Sequence, residues 1–196
     1  MMIMQAGDFI ESPPLIDDDV VLVQNARADL TRFSDLYQRH ARAVYRYLLV
    51  RTGNVQDAQD LTSQTFLAAM ESLPRYSNKS PFRAWLFGIA RHKLADQYRA
   101  HQSVHQEVEL IDDLPDDAGD PVALVDLNLD IERVSRKLQV IAPDRAEALS
   151  LRLFAGFEVK EVAALMGKNE AAVRMLIFRG LRDLQDQLQV VREDGQ

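Results

Sequence analysis

Thirty consecutive residues, 101–130, carry nine acidic side chains and neither lysine nor arginine. Asp112, Asp113, Pro115, Asp116, Asp117, Gly119, Asp120 and Pro121 make the centre of this stretch turn-rich and self-repelling. Such a run buries too little apolar surface to offset the cost of ordering its backbone. The 196-residue chain is therefore expected to fold on either side of an acidic connector, residues 101–126, as two small units.

The flanking stretches carry helical spacing and no strand-like alternation. A loose tail with Gly7, Ser12, Pro13 and Pro14, residues 1–18, precedes a short helix from about Asp19 to Ala28. Phe33, Leu36, Tyr37, Val44, Tyr47 and Leu48 recur on one helical face. Gly53 suits the end of that helix and Asn54 the cap of the next, whose inner face is Ala58, Thr62, Thr65, Phe66, Ala69 and Leu73 up to Pro74. Ser80-Pro81 signals a third helix running to about Ala100, with Phe82, Leu86, Ile89, Ala90 and Leu94 inward. Past the connector, helices are expected from Val125 to Val140, Pro143 to Ala155, Glu158 to Met166 and Glu170 to Val190, the last two joined at Gly167-Lys168-Asn169. The fold class is all-α: two small helical domains, residues 19–100 and 127–192.

Charge divides along the same lines. Net charge is −7, which by itself argues against a nucleic-acid binder, yet residues 31–100 hold eleven Lys/Arg against five acids. There is no cysteine, so disulfides and thiolate metal sites are excluded. His40, His92, His101 and His105 lack metal-ligand spacing, and neither a phosphate-binding loop nor a dinucleotide fingerprint is present; no cofactor or metal is expected. No apolar run has membrane-spanning length and Met1–Asp8 does not read as a signal peptide, so a cytoplasmic location without membrane insertion is the expectation.

Two helices joined through Gly167 make a helix-turn-helix pattern. In the last helix Val173, Leu176, Ile177, Gly180, Leu181, Leu184 and Leu188 share the core face, which leaves Ala171, Arg174, Met175, Phe178, Arg179 and Arg182 opposite. A solvated face explains arginines but not Met175 and Phe178. Arg with large apolar groups suits a DNA major groove. In the first half, Asp57, Asp60, Leu61 and Gln64 form a stripe off the core face. Acids near a helix N-terminus are favourable in themselves; Leu61 among them favours a protein contact. Arg83, Arg91, His92, Lys93 and Arg99, with Phe87 and Tyr98 interleaved, suit single-stranded nucleic acid, whereas Trp85 is read as core.

Several stretches together resemble the extracytoplasmic-function (ECF) branch of the bacterial sigma-70 family of RNA polymerase sigma factors. Phe33-Ser34-Asp35-Leu36-Tyr37 resembles the opening of region 2, residues 57–67 its clamp-binding helix, and residues 82–91 its promoter-melting helix. Glu161–Gly167, followed by Val173-Arg174 and Phe178-Arg179, is similar to region 4. The resemblance implies a non-enzymatic subunit whose partners are core RNA polymerase (clamp and flap), promoter DNA and an anti-sigma factor. It implies that Asp57, Asp60, Leu61 and Gln64 dock on the polymerase clamp. Ser77, Asn78, Lys79 and Ser80 would capture a flipped −10 base, and Arg83, Arg91, His92, Lys93 and Arg99 would hold the melted strand. Arg174, Met175, Phe178 and Arg179 would read the −35 element, with Arg152 and Lys168 on phosphates. The connector would thread toward the polymerase interior. Gln59 and Gln64 stand where Glu is common, Leu176 where a basic residue is frequent, and Gly88 inside the melting helix costs about 1 kcal/mol against Ala. Three rivals stand beside this reading: a stand-alone helix-turn-helix regulator, a sigma-like decoy for an anti-sigma factor, and an enzyme, which no nucleophile–base pair, metal set or phosphate loop supports.

Overall fold

A computed structural model describes the backbone of residues 17–107 and 134–193, and side chains over 19–100 and 134–187. Residues 1–16 of the tail and 108–126 of the connector lie outside the described residues. Every regular element among the described residues is helical: α1 (Asp17–Ala28), α2 (Phe33–Thr52), α3 (Val55–Ser72), α4 (Phe82–Glu107), α5 (134–140), α6 (Pro143–Leu149), α7 (Val159–Met166) and α8 (Glu170–Glu193).

Local chemistry sets the boundaries. Gly53 ends α2 at φ 71°, donating its N–H to the Leu49 carbonyl at 2.8 Å. The Asn54 side chain then caps α3 by accepting from the Asp57 N–H at 3.0 Å. At the other end of the chain Gly167 closes α7 at φ 64°, and Asn169 caps α8 through the Ala172 N–H at 2.8 Å. The Glu161 carboxylate reaches back to the Glu158 N–H at 2.7 Å, fixing the start of α7. Helix α4 starts at Phe82, two residues past Ser80, and its backbone helix runs on to Glu107, into the expected connector.

Helix α6 is shorter than expected. From Ser150 to Phe154 the backbone widens into a π turn, with the Ala155 N–H bonded to the Ser150 carbonyl at 3.1 Å, and Gly156 follows at φ 74°. This wide turn swings the Ala155 carbonyl and the Phe157 ring toward the first unit.

The two units pack against each other, and their buried side chains run together as one core from Val23 to Val173. Phe87 and Phe157, both fully buried, meet edge-to-face across the junction with centroids 4.8 Å apart. Gly53 also lies on this junction: a Cβ there would fall 2.7 Å from the Ser135 Oγ, so only glycine allows the approach. Phe87 was expected on the nucleic-acid face; instead it is core, because the second unit covers that side of α4. Leu61 was expected on a protein-docking stripe away from the core; it is 3% exposed and forms the floor between α3 and α4. Leu181, assigned to the core face of α8, is 38% exposed, while Val173 and Gly180 on that face are buried.

Candidate nucleic-acid interface

Helix α1, the 73–82 connection and α4 enclose a hollow of about 250 Å³ lined by Asp19, Val20, Val23, Tyr76, Asn78, Lys79, Ser80, Pro81 and Phe82. Its walls are held firmly. The Arg27 guanidinium lies over the Tyr76 ring at 5.6 Å and donates to the carbonyls of Leu73 and Tyr76. The Tyr76 hydroxyl donates to the Ser80 carbonyl, closing the loop on itself. Asn78 takes φ 56°, a left-handed conformation that Asn tolerates better than most residues. Trp85 is only partly buried and joins Tyr76 and Phe82 in an aromatic stack, with centroid separations of 4.7 and 5.5 Å.

Asp19 sits at the rim of this hollow, a residue that sequence reasoning did not single out. Its Oδ1 forms an ion pair with Arg39 Nε and a hydrogen bond with His40 Nε2, each at 3.0 Å. Burial pushes the Asp19 carboxyl up, but the hydrogen bond from His40 and the charges of His40, Arg39 and Arg83 outweigh it and hold the group below its ordinary value. No local motif marks this cluster, because its members lie about twenty residues apart on two helices.

The five basic residues of α4 do not form one stripe. His92 and Arg99 are exposed, Arg99 pairing with Asp96. Lys93 lines a groove of about 330 Å³ between α3 and α4 with Asp57, Asp60, Leu61, Gln64, Asp96 and Gln97. The polymerase-docking candidates are thus brought together, with Asp60 and Gln64 exposed and Asp57 half-buried. Arg83 and Arg91 point instead into the junction between the units. Arg83 donates to the Ala155 carbonyl and lies 4.2 Å from the Phe157 ring centroid. Arg91 donates to the Leu165 carbonyl and to Glu147 Oε1, the latter at 2.7 Å. Glu147 also accepts from the Tyr47 hydroxyl at 3.0 and 3.2 Å and faces Arg51 Nε at 3.6 Å.

On α8 the outward face forms as expected. Met175 and Phe178 are 48% and 66% exposed, and Arg174 and Arg179 flank them, Arg174 bonded to Glu170 at 2.7 Å. Arg152 is turned to the Phe157 carbonyl and to Glu158, and Lys168 to Asp144 at 3.0 Å.

The sequence profile of Sigma-70 region 2 matches residues 36–104, and that of Sigma-70, region 4 matches residues 131–184. The ECF RNA polymerase sigma factor BldN of Streptomyces coelicolor is 34% identical over 87% of this chain and 67% of its own length. The chain belongs to the ECF branch of the sigma-70 family. Another ECF sigma factor, SigD of Mycobacterium tuberculosis, is 29% identical over 87% of this chain and 83% of its own. Among solved structures, CnrH in complex with the cytosolic domain of CnrY superposes with a TM-score of 0.69 at 26% identity, covering 89% of this sigma factor and 99% of CnrH. Region 2 accordingly falls on α2–α4 and region 4 on α5–α8, with the helix-turn-helix at α7 and α8. No helix among the described residues is long and apolar enough to cross a membrane.

Proposed function

We propose that this sigma factor directs core RNA polymerase to promoters and helps to open them, acting in the cytoplasm as a binding subunit while polymerase supplies the catalysis. Residues 19–100 act at the clamp and the −10 element and residues 127–192 at the −35 element, with the acidic connector between. The observation that carries the reading is that one chain holds two complementary surfaces: a preformed hollow beside Asn78, Lys79 and Ser80, and the exposed Arg174–Met175–Phe178–Arg179 face of a helix-turn-helix.

The hollow is of a size to admit one unstacked base, with Tyr76 and Phe82 as apolar walls and the polar loop at its mouth. Flipping a base costs a few kcal/mol. Stacking on aromatics, neutralisation of phosphate by Lys79 and Arg99, and a hydrogen bond from His92 offset that cost. On α8, arginine supplies hydrogen bonds to guanine or phosphate and the apolar pair touches thymine methyls. Asp57, Asp60 and Gln64, at the rim of their groove, present acceptors to a basic clamp surface, and buried Leu61 supports them from beneath.

Run-off transcription with core polymerase on a promoter found by chromatin mapping tests this. A product that depends on both the promoter and this chain is expected. A chain that never associates with core polymerase at low salt, or binds the promoter tightly without it, is a stand-alone regulator or a decoy instead.

A further inference from the structure

We propose that Asp19 selects the base held in the hollow: its carboxylate admits cytosine, a pyrimidine with an amino group on its pairing edge, and turns thymine away. This selection rests on the base capture proposed above and adds which base is held and which side chain reads it.

The polar lining of the hollow is divided between two elements. Asp19 comes from α1, and Asn78, Lys79 and Ser80 come from the loop ahead of α4. Lys79 can only donate, and Asn78 and Ser80 can do either. Asp19 is therefore the one obligate acceptor side chain among the described residues that line the hollow. Burial pushes its carboxyl up, but the His40 hydrogen bond and the charges of His40, Arg39 and Arg83 outweigh it. At neutral pH the group thus has no proton to give. Tyr76 and Phe82 wall the hollow with rings, so a base that enters leaves water behind and every mismatched polar contact is costly.

The carboxylate is also fixed in place. Its Oδ1 is engaged by His40 Nε2 and Arg39 Nε, each at 3.0 Å. His40 is itself buried, and its ring centroid lies 5.6 Å from that of Phe82. Rotation of the carboxylate would break both contacts, so Oδ2 is the oxygen left for a base. The amino group of cytosine donates to it in a charge-assisted hydrogen bond. Thymine has the same ring size but brings a carbonyl to that place. Two acceptors then face each other with water excluded, and a site built for a donor rejects the base that lacks one. The same geometry sets what Asp19→Asn does. Arg39 can only donate, so the amide oxygen stays with it and the amide NH2 takes the place of Oδ2. A donor there matches the thymine carbonyl and opposes the cytosine amine.

Holoenzyme assembled from core polymerase and the full chain is bound to a promoter found by chromatin mapping, its −10 element held open by mismatches. Each non-template position of that element carries in turn cytosine, thymine or 2-pyrimidinone, which is cytosine without the amino group. At one position wild type should bind cytosine about tenfold more tightly than either of the others. At that position Asp19→Asn should bind thymine more tightly than cytosine. Wild type that nowhere separates cytosine from 2-pyrimidinone overturns the assignment, and this comparison needs no variant. An Asp19→Asn chain, shown to be folded by its melting curve, that does not rank thymine above cytosine also overturns it; a loss equal for all three bases is the mark of a plain wall residue. Run-off transcription from the native promoter separates the two ideas. No product from wild type removes the sigma-factor reading, whereas a product with the base ranking unmoved by Asp19→Asn removes only the role of Asp19.

Discussion

Gly88 and Gly180 look alike in the sequence, each inside a helix, and part company in the structure. A Cβ on Gly88 would meet nothing within 4 Å. Gly88→Ala is therefore expected to stabilise the chain by about 1 kcal/mol, the helix-propensity difference alone. A Cβ on Gly180 would fall 2.8 Å from Leu149 Cδ1 and 3.3 Å from Arg145 Cβ, where α8 crosses α6. Gly180→Ala should lower stability by about 1–3 kcal/mol through overpacking; urea unfolding midpoints compare the two. The sequence shows the local cost of a glycine but not the steric need, which comes from a helix thirty residues away. Asp19 makes a second residue-level case. Its carboxyl is held below the ordinary 3.8 in the folded chain, so its ion pairs add stability above that pH and lose it as pH falls through the folded value. Asp19→Asn should destabilise the chain at pH 7, and the gap from wild type should narrow below about pH 3.8 in denaturation series run at each pH.

Among the elements, α8 was the most legible. One face had to reach the core through Val173, and the opposite face kept Met175 and Phe178 in the open. Because Phe178 is 66% exposed, Phe178→Ala should leave thermal stability unchanged. It should still cut −35-dependent promoter occupancy by polymerase carrying this factor, by about tenfold where the ring meets a thymine methyl. Footprinting and a melting curve on the same preparation check both halves. The turns at Gly53-Asn54 and Gly167–Asn169 were equally readable, since each needs a left-handed residue and then a side-chain cap. Helix α4 was not. Apolar residues on two of its faces read as a core face plus an aromatic-basic face, because periodicity within one helix says nothing about a second unit covering it. Phe87 was misplaced for that reason, and the contacts of Arg83 and Arg91 with the second unit were not legible for the same one; Leu61 was misplaced because a groove floor and a docking stripe share the same spacing.

At the scale of the molecule, the acidic connector correctly divided the chain into two units, but it gave no sign that they would share a core. The π turn at Ser150–Phe154 is what brings them together, delivering Phe157 against Phe87 and the Ala155 carbonyl to Arg83. Phe157→Ala should cost about 3–5 kcal/mol, as for a fully buried aromatic. Its effect should cross the junction: hydrogen exchange is expected to quicken in α4 as well as in α6 and α7. Quickening confined to region 4 would mean that the halves stand independently. The grip of Arg83 and Arg91 on the second unit has an evolutionary consequence. A substitution at either position, whatever selects it, also alters how firmly the two halves hold one another. Neither arginine can drift without a matching change 56 residues or more further along the chain.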